Sequence, residues 1–325
     1  MRILITGISG FVGSNLAPYL SEQHTVYGLD IVAPEMPGVE QVFSWEDCFS
    51  DRLPQVDAIV HLAGIAHATG RPRDAAAYFK VNRDLTVRIF DYFRTHAVAK
   101  FIFFSTVKAV AEVVPDVLTE EAEPAPEGPY GESKLAAERY ILNCLREDPA
   151  EFAGRGVYIF RPCMIHGPGN KGNLNLVYRV VSRGIPWPLG AFDNRRTFTS
   201  VENICFAVSG VLTGNVASGI YNMADDEALS TNEVIEVIGN VLGRRIPVWN
   251  VPRRLVSGAA RVGGWLHLPL NPERLRKLTE SYIASNAKIK AALGVAKMPV
   301  RARDGLVHTL ECFKKGKGGT ECRQS

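Results

Sequence analysis

The sequence predicts an α/β protein in which a parallel β-sheet carries helices on both faces. Five short runs rich in β-branched and aromatic residues predict buried strands: "RILIT", "TVYGLD", "AIVHLA", "KFIFFST" and "GVYIFRP". Longer amphipathic runs, such as "AAAYFKVNRDLTVRIFDYFRTH" and "GESKLAAERYILNCLRED", alternate with them. This alternation is typical of a parallel sheet, because each crossover between parallel strands places a helix on a sheet face.

The pattern changes after about residue 166, where proline and glycine become frequent. Two further helical runs follow, "STNEVIEVIGNVLG" and "NPERLRKLTE", and they predict a smaller, mixed α/β lobe in the carboxyl-terminal half. "SVENICFAVSGVL" predicts a helix that returns to the main sheet.

The composition argues against several classes of function. The formal charge is only +3 over 325 residues, so no overall field favours nucleic acid or an anionic membrane. The six cysteines are scattered without metal-ligand spacing, which predicts a reduced protein with no metal site. No 18 apolar residues run together, and "MRILITG" lacks the pattern of a secretory leader. We therefore expect a cytoplasmic protein without stable membrane insertion.

One segment, "VPRRLVSGAARVGGWLHLPL" at 251–270, is both basic and apolar. Such a segment is a candidate contact for a membrane surface or a partner, but its glycines and prolines argue against a long amphipathic helix.

A glycine-rich turn follows the first predicted strand. In "TGISGFVGSNLAPYL", Gly7, Gly10 and Gly13 stand where the chain passes from strand to helix, and Phe11 and Val12 lie between the last two glycines. Glycines let a backbone approach a pyrophosphate closely, and a helix N-terminus offers free N–H groups and a positive dipole. A glycine triplet between a strand and a helix predicts a dinucleotide site.

The second predicted strand ends in Asp30. A carboxylate there can accept hydrogen bonds from both ribose hydroxyls of an adenosine and would repel a 2′-phosphate. No arginine follows directly, so the sequence favours NAD over NADP as cofactor. We predict an NAD-binding Rossmann-type domain over 1–166, to which 200–215 returns. Residues 167–310 form mainly the substrate-binding lobe, and 311–325 form a disordered tail.

The combination of "TGISGFVG", Asp30, "HLAG" and "YGESK" resembles the extended short-chain dehydrogenase/reductase family, which contains nucleotide-sugar epimerases and dehydratases. The resemblance runs from Met1 to about residue 295. It implies that Leu62, Ala63 and Gly64 lie against the cofactor, and that Asn82 supports the catalytic geometry from its helix.

Tyr130 and Lys134 lie four residues apart and therefore share a helix face. Transfer of hydride from an alcohol carbon needs a group that takes the hydroxyl proton near neutral pH. A lysine ammonium beside the phenol, together with a nicotinamide cation, would favour the phenolate and lower the phenol pKa. Lys134 can also reach the nicotinamide ribose. The resemblance adds Thr106 as the hydroxyl that bonds the reacting sugar oxygen, with Ser105 as a neighbouring contact.

The segment after Thr106 departs from several relatives. The 4,6-dehydratases of the family carry an Asp-Glu pair where this chain has Val107 and Lys108, so sugar dehydration is disfavoured. "STVKAVAE" is more similar to a polysaccharide-biosynthesis subgroup of C4-epimerases and 4-ketoreductases. Lys108 is either a substrate contact or a solvated loop charge.

The resemblance also places residues on the substrate side. Asn173 and Arg196 match positions that hold the diphosphate of the nucleotide sugar, with Arg195 a weaker candidate. Arg274 and its neighbour Arg276 fall where the family often has another diphosphate arginine. His166 stands where the family usually has tyrosine, and its role stays open. Relatives usually form homodimers, which we also expect here.

These observations predict an NAD-dependent epimerase acting at C4 of a UDP-hexose, favouring a UDP-N-acetylhexosamine, through a 4-keto intermediate. The alternative is an NAD(P)H-dependent reductase of a UDP-4-keto-6-deoxy-hexosamine, since both reactions use the same residues. A non-catalytic NAD-binding regulatory protein is a third alternative, against which the presence of Tyr130, Lys134 and Thr106 argues. The expected partner is the UDP-sugar, not nucleic acid.

Overall fold

The computed structural model describes residues 1–65, 74–114, 116–170, 172–265 and 271–315. Its centre is a seven-stranded sheet with all neighbours parallel and the order β10-β7-β5-β4-β1-β2-β3. The strands are β1 (Arg2–Thr6), β2 (Thr25–Leu29), β3 (Val39–Phe43), β4 (Ala58–His61), β5 (Lys100–Phe104), β7 (Gly156–Pro162) and β10 (Gly219–Met223). The predicted α/β fold with a parallel sheet is confirmed.

Two strands of this sheet, β3 and β10, were not expected from the sequence. They form its two edges. An edge strand has a neighbour on one side only. On β3 this allows exposed residues such as Glu40 and Gln41, so the apolar pattern of β3 is weak. Two small parallel pairs complete the strands, β8 (Met164–His166) with β9 (Phe198–Ser200) and β6 (Val117–Leu118) with β11 (Ile283–Ala284).

Twelve α-helices are found in the described part of the chain. They are α1 (Phe11–Ser21), α2 (Trp45–Phe49), α3 (Ala75–Tyr78), α4 (Leu85–Thr95), α5 (Pro129–Glu147), α6 (Asn173–Ser182), α7 (Val201–Thr213), α8 (Thr231–Leu242), α9 (Arg253–Trp265), α10 (Pro272–Thr279), α11 (Ala287–Leu293) and α12 (Ala302–Lys315). A wider π-helical segment, Phe79–Asp84, joins α3 to α4. No helix in these ranges is both long and apolar enough to cross a membrane.

The core lies on both faces of the sheet because successive strand residues point in opposite directions. Ile3 and Ile5 of β1 pack in one cluster with Leu16 of α1 and Ile204 of α7. Leu4 packs in the other cluster with the helices α4 and α5. Helix α7 therefore lies on the α1 face of the seven-stranded sheet, although in sequence it follows β9, which lies outside that sheet.

A third core cluster belongs to the carboxyl-terminal lobe and joins α8 to α12, with Ile235 and Leu306 among its fully buried members. Helix α12 extends to Lys315, beyond the boundary at 311 that the sequence suggested for a disordered tail. Leu310 and Cys312 are buried and continue the apolar face of the helix. The remaining part of that predicted tail, 316–325, lies outside the described residues.

Candidate active site

The predicted site residues lie along the carboxyl edge of the sheet. The chain proceeds from β1 outward to β2 and β3, then crosses back to β4 on the other side of β1. Ligands of open parallel sheets bind at the strand carboxyl ends next to such a reversal. Thr6 ends β1 there, and His61 ends β4 beside it in register.

The glycine-rich turn connects β1 to α1 at this edge. Gly7 has a left-handed backbone with φ of 69°, and a Cβ added to it would lie 2.9 Å from Ala63. Helix α1 begins after Gly10 with no side-chain cap. The N–H groups of the first turn, including those of Phe11, Val12 and Gly13, have no carbonyl partner one helical turn earlier. The turn can therefore offer N–H groups to an anion.

Asp30 directly follows β2 and lies next to the glycine-rich turn. Its Oδ2 accepts a hydrogen bond of 2.9 Å from the backbone N–H of Ser9, and its Oδ1 accepts one of 2.7 Å from Ile31. These bonds fix the carboxylate at the rim where an adenosine ribose would lie if a dinucleotide followed the turn.

The "LAG" segment, Leu62–Gly64, runs beside the turn. Ala63 donates its N–H to Thr6 Oγ1, which also bonds Nδ1 of the buried His61 at 2.7 Å. A Cβ on Gly64 would lie 3.0 Å from Asn82 Oδ1 and 3.1 Å from Lys134 Nζ. The backbone thus passes directly over these two polar groups. This close backbone path and the uncapped α1 turn fit a bound dinucleotide.

Asn82 lies in the π-helical segment and connects that loop to α5. Its Oδ1 accepts the N–H of Ile65 at 2.7 Å, and its Nδ2 donates to Ile65 O and to Ser133 Oγ, both at 3.1 Å. Ser133 Oγ in turn donates to the carbonyl of Tyr130 at 2.9 Å. π-Helical turns recur at functional sites. Here the turn places a fully buried amide between the loop and the helix.

Tyr130, Thr106 and Lys134 come together at the start of α5. The Tyr130 phenol and the Thr106 hydroxyl are hydrogen-bonded. Lys134 Nζ donates to the carbonyl of Phe104 at 2.8 Å and lies 4.8 Å from the Phe103 ring centre. Burial lowers the pKa of Lys134 to about 8, although the nearby Glu138 carboxylate opposes that shift.

In this structure the pKa of Tyr130 is shifted in the direction opposite to the one predicted for a lysine and a nicotinamide cation acting together. Burial raises the pKa of the phenol, and the hydrogen bond from Thr106 opposes the rise without cancelling it. The sequence suggested a lowered pKa because it showed the neighbouring lysine but not the loss of solvent, and burial always disfavours a phenolate.

The lowered pKa of Lys134 predicts a pH-dependent contribution to stability. The folded lysine releases its proton near pH 8 and the unfolded one near its ordinary value of 10.5, so the unfolded chain binds more protons between these values. Relative to Lys134→Met, the wild type should gain about 2 kcal/mol in free energy of unfolding from pH 8 to pH 10. Urea unfolding of both proteins at these two pH values measures this difference. An unchanged difference would contradict the lowered pKa.

Two residues next to Thr106 are already engaged within the protein. Ser105, predicted as a substrate contact, is buried, and its hydroxyl donates to Glu138 Oε1 in the core. The only proton of the hydroxyl therefore points into the core, and a contact with the substrate, in which the oxygen would accept, stays a prediction. Lys108 forms an ion pair with Glu112. The Lys108 ammonium is thus paired within the loop.

Arg196 is half-buried on the substrate side, and its Nε donates to the carbonyl of Glu280 at 2.9 Å. Burial lowers its pKa, while Glu280 and Glu112 oppose the shift. The same Glu112 adds to the effect of burial in raising the pKa of Tyr130. The Glu112 carboxylate therefore acts electrostatically on both Tyr130 and Arg196.

The exposed Arg195 borders an open cavity of about 420 Å³. The cavity is lined by Val114, Asp116, Val117, Asp193, Arg195, Ser281 and Ile283. Asn173 is the first residue of α6 and Arg274 lies in α10, but their side chains lie outside the described part of the structure. Arg276 approaches Glu280 at 3.8 Å, one helical turn away.

His166 takes part in a buried network rather than in the site. Its Nδ1 bonds Thr309 Oγ1 at 2.9 Å, and its Nε2 lies 3.4 Å from Asp225. Asp225 also accepts from the backbone of Ser200 and from Asn203. This network joins β8, β9 and α7 to α12, so the histidine holds two parts of the chain together.

Three residues around Tyr130 and the loop after Thr106 were not predicted from the sequence. Glu112 and Tyr78 both add to the raised pKa of the phenol, and the Tyr78 ring lies edge-on at 6.3 Å. The Tyr282 hydroxyl lies 3.1 Å from the carbonyl oxygen of Val107 and 3.0 Å from that of Ala111, and its one proton, shared between them, holds the loop after Thr106. Glu112 ends the quoted "STVKAVAE", but nothing in the spacing showed that it faces inward. Within the described ranges, no group of three or more His, Cys, Asp or Glu residues could hold a metal ion.

Comparisons with known proteins identify relatives of this chain. A UDP-glucose 4-epimerase of Vibrio cholerae is 29% identical over 266 residues, which cover 77% of this chain and 78% of that protein. An N-acetyl-alpha-D-glucosaminyl-diphospho-ditrans,octacis-undecaprenol 4-epimerase of Escherichia coli O157:H7 is 27% identical over 295 residues, or 89% and 84% of the two chains.

Among solved structures, UDP-N-acetylglucosamine 4-epimerase from Bacillus cereus has the same fold. The TM-score is 0.75 at 20% identity, with 97% of this chain and 100% of that chain covered. The family model described as "NAD dependent epimerase/dehydratase family" matches residues 3–224. The resemblance seen in the sequence is therefore confirmed. This chain belongs to the NAD dependent epimerase/dehydratase family of nucleotide-sugar enzymes, and its cofactor is NAD.

Proposed function

We propose that this enzyme epimerises C4 of a UDP-N-acetylhexosamine through a 4-keto intermediate. The observation that carries the proposal is the hydrogen bond between Tyr130 and Thr106, with Lys134 buried on the same helix beside Gly64. Such an arrangement would supply a proton acceptor, a hydroxyl and a cation at the carboxyl edge of the sheet, where a dinucleotide would bind.

The residues that would hold NAD follow from the strand ends. The backbone of the turn from Gly7 to Gly13 would bind the pyrophosphate, and Asp30 would accept from the adenosine ribose. Leu62–Gly64 and Lys134 would bind the nicotinamide half. When bound, NAD supplies the acceptor and donor of hydride.

Tyr130 handles the proton in both halves of the reaction. Its phenolate takes the proton of the 4-hydroxyl as C4 is oxidised, and the phenol returns it to the same oxygen when C4 is reduced on its other face. Thr106 can donate to the carbonyl oxygen and accept from the alcohol, so it can hold that oxygen throughout. Burial raises the pKa of this phenol, and we propose that the Lys134 ammonium and the nicotinamide cation together would favour the phenolate when NAD is bound. No net proton or electron is lost, as epimerisation requires.

Two relatives support reaction at C4. One is a UDP-glucose 4-epimerase, and the other is a 4-epimerase of an N-acetylglucosaminyl diphosphate. In the substrates that both names give, the diphosphate is attached to the sugar at the end opposite C4. We propose that Arg196, with Asn173 and Arg274, holds the diphosphate here, since an arginine is suited to bidentate contact with phosphate oxygens.

Incubation of the purified enzyme with UDP-N-acetylglucosamine, without added cofactor, should yield the C4 epimer by nuclear magnetic resonance. UDP-glucose serves as the comparison substrate. Stoichiometric consumption of NADH with a UDP-4-keto-6-deoxy-N-acetylhexosamine, and no epimer from either UDP-sugar, would instead assign the reductase activity. The two outcomes separate these reactions because only the reduction consumes a reducing equivalent.

Asp30→Asn should weaken NAD binding about tenfold to a hundredfold, because hydrogen bonds to a charged acceptor contribute roughly 1.5–3 kcal/mol. It should also narrow the preference for NAD over NADP, since the charge that repels a 2′-phosphate is gone. Isothermal titration with both dinucleotides measures the two affinities. Asp148→Asn, at the far end of α5, is the matched control and should change neither. An unchanged NADP affinity in Asp30→Asn would contradict the assignment.

A further inference from the structure

Helix α9 has apolar residues on two opposite sides. Val256, Ala260 and Gly263 are buried, and the first two belong to the core of the carboxyl-terminal lobe. On the other side Leu255 is 64%, Val262 55% and Trp265 81% exposed. The helix is thus attached to the protein body by one face and leaves a second apolar face in water.

These exposed residues form a continuous stripe. Positions 255, 258, 262 and 265 recur at spacings of three, four and three, which place them along one side of a helix. Gly258 is also exposed and leaves a shallow step between Leu255 and Val262. The sequence had argued against an amphipathic helix here because of its glycines, but α9 runs unbroken for 13 residues. We call Leu255, Gly258, Val262 and Trp265 the α9 stripe.

Two exposed arginines flank the α9 stripe. Arg254 and Arg261 are exposed and lie two helical turns apart, on the same side of the helix next to the stripe. Between Glu236 and Glu273 the sequence contains five arginines and no acidic residue. This local charge contrasts with a formal net charge of +3 for the whole chain.

We propose that the α9 stripe docks on the surface of an anionic lipid bilayer. Apolar side chains flanked by arginines, with a tryptophan among them, match the layered polarity of a bilayer interface, where tryptophan and arginine both prefer to lie. A second copy of this chain is a poor occupant, because a two-fold contact through the stripe would bring the same unneutralised arginines together. This inference is independent of the proposed reaction and of its sugar substrate.

The docking surface has a rigid support. Arg253, at the start of α9, donates its Nε to the carbonyl of Ala191 at 3.0 Å and lies over the Phe192 ring. The segment before α9 also pairs with Trp187 and Leu189 through Val248 and Asn250. These contacts join α9 to the stretch of chain that leads to Arg195 and Arg196. A bilayer under α9 would therefore be near the chain segment on which we place the diphosphate contact.

Flotation of the full chain with lipid vesicles tests the proposal without sugar or turnover. The protein should float with vesicles containing about one-third phosphatidylglycerol, and not with vesicles of phosphatidylcholine alone. Binding should weaken with added salt, since the attraction to anionic lipid is screened. Failure to float with the anionic vesicles at low salt would overturn the proposal, whatever the outcome of the epimerase assay.

Two pairs of variants locate the contact. Arg254→Ala/Arg261→Ala should weaken partitioning about twentyfold or more at low salt, roughly fivefold for each arginine. Arg139→Ala/Arg146→Ala, which removes the same charge from the exposed face of α5, is its control. Val262→Glu should abolish flotation, whereas Tyr19→Glu, at an exposed apolar position of α1, should not.

Equal losses in the variants and their controls would overturn the proposal. So would a change of oligomeric state in Val262→Glu by light scattering combined with unchanged flotation, which would assign the stripe to a second copy. If Val262→Glu lowers the melting temperature, the arginine pair decides, because both arginines are exposed and their removal leaves the core intact.

Discussion

Tyr130→Phe should lower kcat for epimerisation by roughly a thousandfold, within the 10²- to 10⁴-fold range typical of a lost general acid–base group. The substitution removes one oxygen and keeps the ring that packs edge-on against Tyr78. The phenol is the group that Thr106 bonds, so the hydroxyl of Thr106 would remain without its partner and the proton of the 4-hydroxyl without its acceptor. Affinity for NAD should change by less than about threefold, since no contact with the dinucleotide is assigned to the phenol oxygen.

Tyr140→Phe is the matched control for this variant. It is the same substitution on the same helix, and it removes a hydroxyl that donates to Asp91 at 2.5 Å, away from the site. Stopped-flow rates, melting temperatures and NAD titration of both variants separate chemistry from folding and binding. A Tyr130→Phe enzyme that retains kcat within tenfold of the wild type would contradict the role of the phenol.

Glu138→Ala should destabilise the protein by about 3–5 kcal/mol, the range found when one partner of a buried ion pair is removed. Glu138 is 0% and Arg161 is 2% exposed. Arg161 donates Nε to Oε1 at 3.0 Å and Nη2 to Oε2 at 2.5 Å, and Ser105 also donates to the carboxylate. Removing the carboxylate would leave a guanidinium in the core with no counter-charge.

Chemical unfolding measures the loss, and two comparisons define its cause. Glu147→Ala, exposed on the last turn of α5, should cost less than about 0.5 kcal/mol. Glu138→Leu/Arg161→Met removes both charges and should be more stable than Glu138→Ala, because apolar pairs often replace buried ion pairs at little cost. If the double variant is no more stable than the single one, the loss comes from packing rather than from the unpaired charge.

The Glu138–Arg161 ion pair could not be predicted from the sequence, whereas several other features could. Tyr130, Lys134 and the glycine-rich turn could be predicted because each depends on spacing within one strand or helix. The Glu138–Arg161 pair joins α5 to β7 across 23 positions of sequence, and nothing local to either residue indicates the other. The bond from Ser105 to the same carboxylate could not be predicted for the same reason. The position of Ser105 beside Thr106 suggested a contact with the substrate. Its hydroxyl donates to Glu138, which only the tertiary fold brings next to it.

The edge strands and the Tyr130 pKa were missed for a related physical reason. Solvent exposure is a property of the assembled fold, and it decides both how apolar a strand must be and how costly a phenolate is. The order of the elements could be predicted because periodicity is local. How deeply each element is buried could not be predicted, because burial depends on the tertiary fold.

The bonds through Asn82 have a consequence for how such enzymes can diversify. They fix the backbone of Tyr130 by way of Ser133 and the loop at Ile65, all within the amino-terminal 133 residues. The backbone of the proposed proton acceptor is therefore held by the amino-terminal part of the chain. Mutations in the carboxyl-terminal lobe that keep Tyr282, which bonds the loop after Thr106, should then alter which sugar is accepted while the proposed acid–base residues keep their positions. A chimaera carrying the lobe of a relative should inherit that relative's substrate preference and retain its own chemistry.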